Sequence, residues 1–148
     1  MAVFAPLCVL LGPTASGKST LAMALAQRWG GEILSVDSMQ VYRGMDIGTA
    51  KPSGLEQREV RHWLIDVADP VESFTVARYV VEADAAIASA RDRRVSLIAT
   101  GGTPLYYKSL FEGLFDGPAA DVATRERLNA EPLESLHAKL QQVDPAAA

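Results

Sequence analysis

The run Gly12-Pro13-Thr14-Ala15-Ser16-Gly17-Lys18-Ser19 has the spacing G-x-x-x-x-G-K-[ST], in which every fixed position has a mechanical duty. The two glycines let the backbone wrap an anion with its N–H groups. The positive end of the helix that follows adds to the attraction. Lys18 brings a point charge to a phosphate, and the Ser19 hydroxyl is placed to ligate Mg²⁺. Such a loop implies a ligand bearing a diphosphate or triphosphate, and it leaves open what is done with that phosphate.

A second chemical group is needed. NTPases of this kind usually carry a metal-holding Asp at the end of an apolar strand. Here the apolar run Val95 to Ala99 ends instead in Thr100-Gly101-Gly102-Thr103, without an acid. The nearest acid of that type is Asp37, after Ile33 to Val36. A carboxylate there serves as a general base if it reaches the departing proton, and otherwise serves as a turn or capping residue. Thr103-Pro104 has the form of an N-cap followed by proline at the first helical position, so Thr103 reads either as a cap or as a site residue. The two glycines before it permit close approach of a ligand to the backbone.

The elements that must position these groups follow from the hydrophobic pattern. Leu7 to Leu11, Ile33 to Val36, Leu64 to Val67 and Val95 to Thr100 each read as a buried parallel strand. Helices are expected between them. One follows Ser19 with Leu21, Ala24 and Leu25 on its inner face and stops at Gly30-Gly31. Another carries Val76, Val80, Ala83, Ile87 and Ala90, with Ser73 or Thr75 as its cap. This alternation predicts an α/β fold, a P-loop NTPase-like parallel sheet with flanking helices. Ligands in such sheets sit at the carboxyl ends of the strands. That rule marks the P-loop, Asp37-Ser38, Asp66 to Asp69, and Gly101-Gly102-Thr103. From Gly117-Pro118 onward the pattern is helical alone, with a stripe of Leu133, Leu136, Leu140 and Val143. The expected organisation is therefore an α/β core over 1–116 and the start of a helical region over 117–148.

Composition narrows the setting. The 148 residues fit one core, and a net charge of −4 does not advertise a nucleic-acid partner. The single cysteine, Cys8, sits in an apolar run and reads as a small buried hydrophobe, compatible with a reducing cytoplasm. Ala2 to Leu11 lacks a cationic n-region and runs straight into the P-loop, so no secretory signal is expected there. No stretch is long and apolar enough to span a bilayer, so no membrane association is expected.

Taken together, the motifs resemble those of the bacterial tRNA dimethylallyltransferases, also called tRNA isopentenyltransferases. The resemblance rests on the P-loop, on Ser35-Val36-Asp37-Ser38-Met39-Gln40-Val41-Tyr42, on Gly44-Met45-Asp46-Ile47-Gly48-Thr49-Ala50-Lys51-Pro52, and on Gly101-Gly102-Thr103. The third segment discriminates most, because P-loop enzymes in general have no reason to carry it. His62-Trp63-Leu64-Ile65-Asp66 and Val143-Asp144-Pro145 are weaker echoes in the same order. The resemblance implies transfer of a dimethylallyl group from dimethylallyl diphosphate to the exocyclic amine of the adenosine 3′-adjacent to a tRNA anticodon, with release of diphosphate. It implies Asp37 as base with Thr103 helping to place the reacting groups. Contact with the tRNA anticodon stem-loop is implied for Asp37, Ser38, Met39, Gln40, Thr103 and Arg125. It also implies Mg²⁺ as cofactor and a cytoplasmic monomer. His62, Tyr106 and Tyr107 are expected to fill the core or its edge, and Arg91-Asp92-Arg93-Arg94 to form a solvated helix end.

The resemblance covers only the N-terminal portion of a family member, ending before a later Gln-Arg-x-x-Arg motif and the C-terminal arginines. Weak tRNA binding and poor turnover are therefore expected of these 148 residues alone. Three other readings remain: a P-loop small-molecule kinase using ATP, an adenylate isopentenyltransferase with a free nucleotide acceptor, and a non-catalytic phosphate-binding module.

Overall fold

The computed structural model describes residues 7–114, 117 and 121–148. They fall into two compact units, one up to Leu114 and one beyond it. The residues 1–6, which bear on the signal-sequence reading, and 115, 116 and 118–120, where the domain boundary was expected, lie outside the described residues.

The first unit is an α/β layer structure. Strands β1 (Leu7–Leu10), β2 (Glu32–Ser35), β3 (His62–Trp63) and β4 (Leu97–Thr100) form one sheet in the order β1-β4-β2-β3. All pairings are parallel, with Leu10 and Ser35 both in register with Thr100. Helices α1 (Lys18–Trp29), α2 (Gly54–Glu59), α3 (Val76–Asp92) and α4 (Pro104–Glu112) supply the connections and covers. Side chains alternate across a strand, so each strand serves both faces. Leu34, Val36, Leu97 and Ala99 pack with Tyr79, Ala83, Ala86 and Ala90 of α3 and Tyr106 of α4. Ile33 and Ile98, on the opposite face, pack with Ala22 and Ala26 of α1. Burying a residue such as Leu34 or Ile98 contributes about 1.5–3 kcal/mol.

Two helices form where the pattern placed them, for visible local reasons. In α3 the Thr75 hydroxyl accepts the Arg78 N–H as an N-cap. In α1 the chain stops at Gly30, which adopts φ 61°, and the Gly31 N–H closes onto the Ala26 carbonyl at 2.8 Å. The inner face of α1 differs in part from expectation: Leu25 packs against the core as expected, but Ala24 is exposed. Ala22 and Ala26 are the buried residues and Leu21 is half-exposed, because small side chains let the helix lie close on the sheet.

The third strand also differs. Pairing with β2 is confined to His62 and Trp63, ahead of the expected Leu64 to Val67. Leu64 and Asp66 take φ of 61° and 56°, outside the β region. The chain is drawn away because Asp66 N–H bonds to the Gln40 carbonyl and Ala68 N–H to the Val41 carbonyl. A third departure is Arg93, expected to be solvated. Its guanidinium forms two hydrogen bonds, 2.5 and 2.7 Å, with the buried carboxylate of Glu32, which also accepts the Trp63 indole N–H. The Arg93 hydrogen bonds hold the Glu32 carboxyl below its ordinary value, against the opposing effect of burial.

The second unit contains α5 (Val122–Asn129), capped by the Asp121 side chain, and α6 (Leu133–Val143). The α6 stripe forms as a helix, with Leu133 and Val143 strongly exposed. Among the described residues, no helix is long and apolar enough to cross a membrane.

Candidate active site

The carboxyl ends of β1, β2 and β4 meet at one cavity of about 670 Å³. Its lining includes Thr14 to Ser19 of the P-loop, Asp37 after β2, Gly48 to Pro52, and Thr100 to Gly102 after β4. The P-loop is an exposed turn held by its own geometry. Ala15 and Gly17 adopt φ of 63° and 83°, and the Leu21 N–H reaches back to the Gly17 carbonyl at 3.0 Å. Lys18 Nζ donates to the Gly12 and Pro13 carbonyls at 2.8 and 2.7 Å. That leaves one of its three donors for an anion. Gly12 and Pro13 thus orient Lys18 from behind the cavity lining.

Asp37 makes the turn contacts that the sequence left as one of its alternatives, and it keeps one oxygen free. Its Oδ1 accepts the Met39 N–H at 2.9 Å and the Gln40 N–H at 3.4 Å, which makes it the organising residue of a turn. Those bonds also orient the carboxylate, and Oδ2 accepts no hydrogen bond among the described residues. Such an arrangement leaves one oxygen to take a proton.

The loop after β4 braces this turn. Thr103 precedes Pro104 at the start of α4, yet its hydroxyl makes no cap. It accepts the Ser38 N–H at 2.9 Å and bonds to the Ser38 hydroxyl at 3.3 Å, while Thr103 N–H donates to the Val36 carbonyl at 3.1 Å. The first of the two glycines before it, Gly101, serves this contact. A Cβ on Gly101 would lie 2.0 Å from the Val36 carbonyl oxygen, so Gly101 admits a neighbouring strand end as well as lining the cavity. Tyr106 stacks on Tyr79 beneath this layer with ring centroids 3.9 Å apart. Burial, with the Asp37 charge nearby, pushes the Tyr107 hydroxyl up to about 12. It stays protonated and reaches the Leu10 carbonyl at 3.5 Å, at the entry to the P-loop.

The fourth wall was not legible as such. Gln40 accepts the Ser35 hydroxyl with Oε1, and its Nε2 donates to the Thr49 and Ala50 carbonyls, both at 3.1 Å. Lys51 is almost wholly buried, with Nζ 2.8 Å from Asp46, 2.7 Å from Asp66 and 2.7 Å from the Tyr42 carbonyl. Burial works against its charge, but the two carboxylates prevail and its pKa is raised. The Gly44 to Pro52 segment is therefore a strap pinned by Lys51 and Gln40. Asp66 and Asp69, marked by the strand-end rule, do not line the cavity: Asp66 belongs to this latch and Asp69 accepts the Val71 N–H.

His62 lies on the cavity wall with Nδ1 2.8 Å from the Val60 carbonyl, and burial lowers its pKa. Ser38 and Thr103 stand directly behind the lining. Met39 is exposed at the rim. Arg125 lies in α5 of the second unit, exposed.

A family model described as IPP transferase matches residues 40–148. The chain belongs to the IPP transferase family. It is 49% identical to the tRNA dimethylallyltransferase of Halorhodospira halophila over 97% of its own length and 48% of that protein. With that of Geobacter metallireducens the identity is 52%, over 96% of this chain and 47% of the relative. Among solved structures, the tRNA isopentenylpyrophosphate transferase of Bacillus halodurans superposes with a TM-score of 0.71 at 42% identity, covering 97% of this chain and 49% of that one. A eukaryotic dimethylallyltransferase captured acting on tRNA gives a TM-score of 0.78 at 29% identity, over 94% and 36%. The chain spans about half the length of the curated relatives it matches.

Proposed function

We propose that this site supports transfer of a dimethylallyl group from dimethylallyl diphosphate to the exocyclic amine of an adenosine beside a tRNA anticodon. The observation that carries the reading is the single cavity in which the P-loop and the Thr103-braced Asp37 both take part. In the reaction a C–N bond forms as the allylic C–O bond breaks. The bonding electron pair leaves with diphosphate, and the amine proton passes to Asp37. Backbone N–H groups of the P-loop and Lys18 stabilise the charge that gathers on the leaving group. The target base must leave its stack to reach Asp37, as in other base-modifying enzymes.

The residues present fit a divalent cation beside the phosphate. Ser19 lines the cavity next to Lys18, and Mg²⁺ is commonly held by a few protein oxygens together with substrate phosphates. Bound there, it would supply charge neutralisation. Among the described residues there is no cluster of three or more His, Cys, Asp or Glu for an all-protein site. For the tRNA, Ser38, Met39, Thr103 and Arg125 are proposed contacts. The Gln40 amide is engaged with the strap, so its part is to shape the surface rather than to reach outward.

The test is a matched pair of variants. Lys18→Ala is expected to abolish binding of inorganic pyrophosphate in calorimetry. Asp37→Ala, placed in a protein carrying the remaining length of the relatives, is expected to retain diphosphate binding and lose prenyl transfer to an anticodon stem-loop. Undiminished transfer by Asp37→Ala would remove Asp37 as base, and unchanged pyrophosphate affinity in Lys18→Ala would remove the cradle.

A further inference from the structure

Thr100 is the last residue of β4, between the strand that feeds the P-loop and the strand that feeds Asp37. Strand alternation puts it on the face of Ile98, which is the α1 face. It is 92% buried by residue surface, being 8% exposed, and it lines the cavity. Among the described residues, Thr100 Oγ1 is the buried side-chain polar atom without a hydrogen-bond partner. Its register neighbour Ser35 is also buried, but that hydroxyl is satisfied by Gln40 at 2.8 Å. Leaving a buried hydroxyl unmatched carries a desolvation cost, and native proteins rarely keep one without a use. The two hydroxyls therefore differ: one closes a structural contact, and the other is buried at the cavity wall with its donor and acceptor unmatched among the described residues.

The position narrows the partner. Thr100 occupies the strand end where a metal-holding acid would stand in an NTPase, one strand over from the phosphate cradle. A neutral hydroxyl there adds no repulsion toward an anion, and it can donate a hydrogen bond to a phosphate oxygen. The β4 backbone is fixed on both sides, since Thr100 is paired with both Leu10 and Ser35. The side chain thus turns on rigid backbone, which limits the entropy lost on binding.

We propose that Thr100 Oγ1 is a direct ligand of the diphosphate: its side chain turns about χ1 to bring the buried hydroxyl to the cavity, where it donates a hydrogen bond to the phosphate group nearest the reacting carbon. This rests on the reading of the cavity as a diphosphate site. The hydroxyl supplements the P-loop from the opposite side and holds the diphosphate in line with the base.

The test uses Thr100→Val, which keeps the branched shape and deletes the hydroxyl, and Thr100→Ser, which keeps the hydroxyl. Inorganic pyrophosphate is the probe, followed by calorimetry and by the ligand-induced rise in Tm, with Lys18→Ala as reference. Hydrogen bonds to charged groups support an expected loss of affinity of about tenfold or more in Thr100→Val, with Thr100→Ser close to the parent. The unliganded Thr100→Val protein should be at least as stable as the parent, because an orphaned polar atom has been removed. That opposition between weaker binding and undiminished stability is not produced by a purely structural hydroxyl. Affinity equal to the parent in Thr100→Val, with binding still dependent on Lys18, overturns the proposal and leaves the diphosphate site standing. Lower stability of Thr100→Val with unchanged affinity also overturns it, assigning the hydroxyl to internal packing. Failure of the parent to bind pyrophosphate, or binding independent of Lys18, overturns both.

Discussion

Replacing Gly101 with alanine should separate the base from its brace without touching either. A Cβ built at Gly101 falls 2.0 Å from the Val36 carbonyl oxygen, 2.2 Å from its carbonyl carbon and 2.7 Å from its Cα. Real Cβ atoms essentially never come within 3.0 Å of another atom, so the two strand ends must separate by about 1 Å. The obstacle is backbone on both sides, and no rotamer can relieve it. An opening of that size stretches the 3.1 Å Thr103 N–H to Val36 bond and the 2.9 Å Ser38 N–H to Thr103 bond beyond hydrogen-bonding range. Each bond is worth about 0.5–1.5 kcal/mol. Forcing an extra methyl into packed structure adds about 1–3 kcal/mol. The expected destabilisation is thus roughly 2–6 kcal/mol, a large part of the ~5–15 kcal/mol that holds a domain together. Urea denaturation of Gly101→Ala beside Gly102→Ala provides the comparison. At Gly102 the nearest atom to the new Cβ is Asp37 Oδ2 at 3.5 Å, an ordinary contact, so its cost should stay below ~1 kcal/mol. If Gly101→Ala were within ~0.5 kcal/mol of the parent, the close approach of β2 and β4 would not be what fixes the Asp37 turn.

Two further outcomes follow from the buried charges. Lys51→Met leaves Asp46 and Asp66 facing each other and the Tyr42 carbonyl unmatched. Because the carboxylates are 66% and 39% exposed, the loss should be about 2 kcal/mol, below that of a fully buried pair, with faster amide exchange across Gly44 to Pro52. An unchanged urea midpoint and exchange pattern would show the strap to be held by Gln40 alone. Glu32, whose carboxyl Arg93 holds below the ordinary 4.5, contributes stability that is fully present above pH 4.5 and is lost as pH falls through its lower folded value. Glu32→Gln should be less stable at pH 7 by about 1–3 kcal/mol and should lose less than the parent as the pH falls below 4.5. Parallel acid limbs for the two proteins would contradict the assignment.

The sequence carried the sheet, the P-loop and the strand-end positions because each has a local signature: apolar runs, paired glycines, a fixed lysine. What it could not carry was any contact made across distance. Thr103 looks like a helix cap in sequence, and only the apposition of β2 and β4 turns its hydroxyl toward Ser38. Arg93 sits in a charged run that reads as solvated, and its partner Glu32 is 61 residues away. Lys51 is likewise unremarkable in one dimension, since Asp66 reaches it only after the chain abandons the expected strand at Leu64. Gly101 was read as room for a ligand when its tightest neighbour is the protein itself. On α1 the pattern places Leu25 correctly but not Leu21, because the closest approach to the sheet is made by Ala22 and Ala26.

The strand order gives the reading of the site a geometric reason. Since β4 lies between β1 and β2, the loop that cradles phosphate and the turn that carries Asp37 are separated by two inter-strand spacings, ~9.6 Å across the sheet. Were β1 and β2 adjacent, one spacing of ~4.8 Å would place the carboxylate almost against the cradle, with repulsion between it and the bound anion and no room for a reacting carbon. The intervening strand end carries Thr100, Gly101 and Gly102 on the cavity wall, and the two glycines line it without side chains to fill it. A diphosphate on the P-loop can therefore extend along that gap toward Asp37, while the carboxylate stays far enough away to remain a proton acceptor rather than a competing charge. In the proposed reaction, leaving-group stabilisation and proton removal need different ends of one substrate pair, and the order β1-β4-β2 provides that spacing in the backbone, before any side chain is chosen.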